Sequence, residues 1–108
     1  MELHKIPLPG TRSYQEFVRS RDLSAGVYRL SAGAEDLQTP HAEDEVYFVL
    51  AGRSRFTSGE VTVEIEPGAC LFVPAHEPHR FHDIAESLEL LVVFGPASGS
   101  RRQGGNAE

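Results

Sequence analysis

Glu45-Val46-Tyr47-Phe48-Val49-Leu50-Ala51-Gly52 is a run of β-branched, aromatic and aliphatic residues closed by a glycine. Residues of this kind favour a pleated, buried surface, and the run is too short for a buried helix. It reads as a strand. Arg53 to Thr57 continues as a shorter one, and Ser58-Gly59-Glu60 signals a turn. Val61-Thr62-Val63-Glu64-Ile65-Glu66 then alternates apolar and polar, as a half-buried strand does. Pro67-Gly68 marks the next turn, and Cys70-Leu71-Phe72-Val73 is a short strand stopped by Pro74. Upstream, Gly26-Val27-Tyr28-Arg29-Leu30-Ser31 alternates as well. Leu88 to Phe94 is the last apolar strand, ended by Gly95-Pro96.

Between Ser20 and Phe94 no stretch has the apolar spacing of an amphipathic helix. Strands broken by turn signals about every eight to twelve residues indicate an all-β, antiparallel sandwich or barrel. Jelly rolls of this kind fold two sheets together, and the larger ones enclose a cavity. The chain of 108 residues fits one domain. Residues 1–19 form an N-terminal extension in which Pro7 and Pro9 oppose regular structure, and Tyr14 to Arg19 is a short strand or one helical turn. The barrel spans 20–96. Residues 97–108 hold no large apolar side chain, and a mobile tail is expected there.

The formal net charge of −6, with scattered Lys and Arg, disfavours nucleic acid and anionic membrane as partners. The single cysteine, Cys70, has no intrachain partner and reads as a small buried hydrophobe. No basic segment followed by an apolar one opens the chain, so a cytoplasmic location is expected.

His76, His79 and His82 lie within seven residues, and His41 stands four positions before Glu45. A histidine and a glutamate at that spacing share a helix face, but Val46 to Val49 make Glu45 the start of a strand. Ala42-Glu43-Asp44 is then a turn, with His41 ending one strand and Glu45 opening the next. The pair brings an imidazole nitrogen beside a carboxylate, which are metal-ligating groups.

Gly33, five residues, Thr39, Pro40, His41, three residues, Glu45, six residues and Gly52 fall in the frame of the first motif of the cupins. Gly68, five residues, Pro74, Ala75, His76, two residues, His79, three residues and Asp83 fall in the frame of the second. The chain therefore resembles a small single-domain cupin, with the likeness extending over about residues 20–96. Three positions depart from the pattern: Thr39 replaces the first histidine, His76 a glycine and Asp83 an asparagine.

The resemblance implies a cupin-type double-stranded β-helix, a jelly-roll barrel. It implies a divalent metal held by His41, Glu45 and His79, with Gln38 as a fourth donor if Pro40 turns its amide inward. Two histidines and a carboxylate leave coordination positions open. Donor type does not choose among Fe, Zn, Mn and Ni. Strand periodicity turns Tyr47 and Val49 inward with Glu45, and Phe81 with His79. With Phe72 they are the expected pocket lining, and Tyr47 is the candidate catalytic residue. His76 and His82 belong at the rim or behind the ligands, and Arg80 faces outward. Dioxygenase or isomerase chemistry on a small organic molecule is one implied function. A barrel that binds a ligand without turnover and a metal-free structural cupin are the alternatives. A homodimer paired through edge strands is expected by analogy.

Overall fold

The computed structural model describes residues 1–101, which form six strands and no helix. In chain order these are β1 (Tyr14–Arg19), β2 (Ser24–Leu30), β3 (Asp44–Ser58), β4 (Val61–Ile65), β5 (Cys70–Val73) and β6 (His79–Gly95). Every pairing is antiparallel, in the order β1-β2-β6-β3-β4, with β5 alongside β3. Among the described residues no helix is long and apolar enough to cross a membrane.

β3 and β6 carry the architecture. Glu45 to Phe48 lie between β5 and the second half of β6; Ser54 to Ser58 lie between β4 and its first half. Between these halves the register slips from Val49 to Arg55. Gly52, at φ +96°, sits at the slip; a Cβ there would collide with the Ser87 carbonyl oxygen and lie 2.8 Å from Leu88 Cα. Only glycine lets β3 pass β6 this closely while bending. On β6, Asp83 adopts φ 50°, a left-handed conformation that Asp tolerates. It resets the alternation: His79 and Phe81 face inward before it, and Ile84, Leu88, Leu90, Val92 and Phe94 after it. The sheet thus folds over on itself as an antiparallel jelly-roll barrel. Its core joins Leu30, Tyr47, Val49, Phe56, Ile65, Val73 and the inward residues of β6.

Several expectations are corrected. The runs on either side of Gly52 are one bulged strand, not two. His79 lies on β6, which begins nine residues before Leu88, because Phe81 and Ile84 supply inward apolar positions there. His41 lies in irregular chain before β3 rather than at a strand end. Cys70 is exposed: Glu45 pairs with Val73 on the inner side, so alternation along β5 sends Phe72 and Cys70 outward. On the edge strand β4 only Ile65 is buried, while Val61 and Val63 overhang the core.

The mobile-tail expectation does not hold for 97–101. Ala97 is 1% exposed. The Ser98 amide donates to Ser24 Oγ (2.9 Å), and the Gly99 and Arg101 amides donate to the two oxygens of buried Glu43 (3.0 and 3.1 Å). Backbone amides of a polar segment found a buried carboxylate that needed donors. Residues 102–108 of the expected tail lie outside the described residues.

Candidate metal and ligand site

Glu45 and Tyr47 alternate inward from β3, and His79 enters from the start of β6. His41 reaches the adjoining cavity from the loop before β3. That loop is tied to the one before β6, since the His76 amide donates to the His41 carbonyl (2.7 Å) and the Ala75 amide to Asp44 Oδ1 (2.9 Å). The rings of His41 and His79 are 6.2 Å apart between centroids.

The hydrogen bonds fix where the protons are. Asp36, 8% exposed, accepts from Tyr28 Oη (2.6 Å), Gln38 Nε2 (2.7 Å) and the Phe81 amide (2.9 Å). With its NH2 on Asp36, Gln38 presents its carbonyl oxygen to Tyr47, whose hydroxyl donates to it (2.9 Å). His79 Nδ1 lies 2.9 Å from the Glu77 carbonyl, which only accepts, so Nδ1 carries a proton. In the neutral ring Nε2 is then a lone pair. It stands 3.1 Å from Tyr47 Oη, whose proton is engaged on Gln38, and 3.0 Å from Glu45 Oε1.

A protonated His79 would pair with Glu45 Oε1 across this 3.0 Å; with the ring neutral, Glu45 Oε1 has no hydrogen-bond partner. Three electron-rich atoms therefore meet at one buried point. Glu45 is 2% exposed, and no Lys or Arg lines the cavity beside it. Buried charges of this kind are normally paired or bound to a metal. Desolvation alone would lower the His79 pKa; the Glu45 carboxylate and the Glu77 carbonyl outweigh it, and the net direction is up. Burial, reinforced by Glu45, holds the Tyr47 phenol well above its ordinary value, so it stays protonated.

Beside this point lies a cavity of about 180 Å³, walled by Tyr14, Tyr28, Val92 and Phe94 and reached by Gln38, His41, Glu45, Tyr47 and Ser98. The expected lining is only partly placed there. Tyr47 lines the cavity. Val49 and Phe81 face inward but belong to the packed core beneath it. Phe72 is 62% exposed on the outer surface, because it pairs with Val46 on the outward side of β3. Gln38 lines the cavity with its amide committed to Asp36 and Tyr47. Thr39, His76 and Arg80 are exposed. His82 lies away from the cavity, between Thr57 Oγ1 (2.7 Å) and Asp83 Oδ2 (2.9 Å).

Tyr14, Tyr28, Asp36, Val92, Phe94 and Ser98 were missed. Tyr28 and Phe94 sit at inward positions of runs already read as strands, so periodicity could have found them. Nothing near Asp36 in the sequence marks it.

The cupin domain family profile matches residues 26–94. The chain belongs to the cupin domain family. An uncharacterized protein of Streptomyces coelicolor, SCO3923, is 49% identical to this cupin over 84 residues, covering 78% of this chain and 80% of the relative. The solved structure of TT1209 from Thermus thermophilus is 25% identical with a TM-score of 0.72, covering 90% of this chain and 99% of that one. DMSP lyase DddQ from Ruegeria pomeroyi is 28% identical with a TM-score of 0.67 over 79% of this cupin. The match spans only 42% of the lyase.

Proposed function

We propose that this cupin holds a divalent metal through His41, Glu45 and His79 and presents it to a small organic molecule in the adjoining cavity. The observation that carries this reading is the meeting of His79 Nε2 and Glu45 Oε1 at 3.0 Å without a hydrogen bond. With His79 neutral these are two lone-pair atoms, and a divalent metal between them would satisfy both. His41 supports it: its Nδ1 is buried without a partner. The further oxygen beside the pair is Tyr47 Oη rather than Gln38. A bound divalent metal would supply Lewis acidity toward a substrate oxygen. Around it, Glu77 fixes the His79 tautomer, and Gln38 and Asp36 orient the Tyr47 phenol. The reaction class lies among dioxygenase, isomerase and, by similarity to DddQ, lyase chemistry.

A second reading has its own observation. Among the described residues no group of three or more His, Cys, Asp and Glu side chains stands in a metal-holding arrangement. In a metal-free barrel a proton on His79 would neutralise Glu45, consistent with the raised pKa. Metal analysis of untagged protein loaded in turn with Fe(II), Mn(II), Ni(II) and Zn(II) separates the two. Stoichiometric metal is expected, falling about tenfold or more in His41→Ala and Glu45→Gln. Empty wild-type protein would establish the metal-free reading, and equal loading of His41→Ala would remove His41 from the ligand set.

The partner that suits the outer surface is a second copy of this chain. Phe48, Leu50, Cys70 and Phe72 are exposed together on the outward side of β3 and β5. This apolar row lies on a sheet face, whereas the expectation placed pairing at edge strands. A two-fold axis through the row would bury it against itself. Light scattering is expected to give twice the 11.9 kDa chain mass, and Phe72→Glu the single mass. A monomeric wild type would refute the pairing.

A further inference from the structure

Among the described residues, three buried side-chain atoms lack a hydrogen-bond partner: His41 Nδ1, Glu45 Oε1 and Tyr14 Oη. All three residues line the same cavity. The proposed metal would account for the first two. It does not account for a phenol. Buried hydroxyls are almost always bonded, and Tyr14 Oη, on a residue that lines the cavity, finds no acceptor among the described residues.

Tyr14 is placed with care. It pairs with Tyr28 in the β1–β2 register, and its ring lies against Gly26. A Cβ at Gly26 would collide with Tyr14 Cζ and Oη. The missing side chain on β2 is thus the seat of the Tyr14 ring. Tyr28 and Phe94 stand edge-on to that ring, at 65° and 84°, and complete an aromatic wall. Burial and the nearby Glu16 and Glu45 carboxylates push the Tyr14 pKa up. The hydroxyl therefore remains a donor.

We infer that Tyr14 is the ligand-orienting residue of this cavity, donating its hydroxyl proton to a carbonyl oxygen on a compact, otherwise apolar molecule. The inference rests on the reading of the cavity as a small-molecule site. The volume sets the size: a 150 Å³ apolar cavity takes a benzene-sized guest, so a single six-membered ring or its acyclic equivalent fits. The aromatic wall packs the body of the molecule, and Tyr14 selects the oxygen. A site built to hydrogen-bond one group discriminates against the analogue that lacks it.

The test uses the full chain loaded with Zn(II) and two probes of matched shape, cyclohexanone and methylenecyclohexane, titrated by protein NMR. Tyr14→Phe removes only the unpartnered hydroxyl. It is expected to weaken cyclohexanone by about three- to tenfold, the worth of one neutral hydrogen bond, and to leave methylenecyclohexane unchanged. Gly26→Ala keeps the hydroxyl but displaces the ring, and it is expected to lose the same selectivity. Metal content should be unaltered in both variants. Equal weakening of both probes in Tyr14→Phe would reduce Tyr14 to a wall residue and overturn the inference while the cavity reading stood. Selectivity unchanged in Tyr14→Phe would do the same. Failure of wild-type protein to take up either probe would overturn the cavity reading along with it.

Discussion

Asp36→Ala is expected to lower unfolding stability by about 3–4 kcal/mol, the cost of stranding one buried and two half-buried donors that had bonded to a charged acceptor. The stranded groups are the Tyr28 hydroxyl, the Gln38 amide and the Phe81 backbone N–H, each within 3 Å of a carboxylate that is almost wholly buried. Two of the three lead to the site. Gln38 loses the bond that sets its amide orientation, and with it the fixed acceptor for Tyr47. The Phe81 amide belongs to the strand that carries His79. Asp36→Asn has the same shape but must turn one NH2 toward these donors, so it recovers only part of the loss. Urea unfolding of the three proteins checks this. A loss below about 1 kcal/mol for Asp36→Ala would mean that water replaces the carboxylate and that Asp36 is not the anchor described here.

Phe81→Ala is expected to cost about 3–5 kcal/mol, as for other fully buried aromatic residues truncated in a core. Phe81 is 0% exposed, and its ring lies 4.6 Å from that of Phe56 and 5.0 Å from that of Tyr47. The contrast is Phe72→Ala. Measured at low concentration, where a second copy contributes little, it is expected to change stability by no more than about 0.5 kcal/mol. Both residues carry the same side chain and both were expected to line the pocket. A comparable loss in the two variants would contradict the register that turns Phe72 outward. A mild Phe81→Ala, with altered ligand binding in its place, would restore Phe81 to the cavity wall.

The pair shows where sequence reading reaches. The strand character of 45–51, 61–66, 70–73 and 88–94 was legible because β propensity and turn residues act locally. The inward side of Glu45, Tyr47 and Val49 followed from a period of two. Phe72 failed because a short apolar run offers no polar residue to mark its outer side. Pro74 and Pro78 hide the start of β6 in the sequence, and pairing with Ser58 is what places His79 on a strand.

The sequence by itself determined the all-β class, the two histidine-bearing motifs and the family, since each is carried by residue type and spacing along the chain. The tertiary structure alone decided that Asp36 is a buried hub, that Glu43 ties down the segment after Pro96, and that Tyr14 closes the cavity from the first strand. Each of these depends on contacts between residues far apart in sequence, and on which polar atoms the fold leaves without water. Neither property has any signature in the residues on either side.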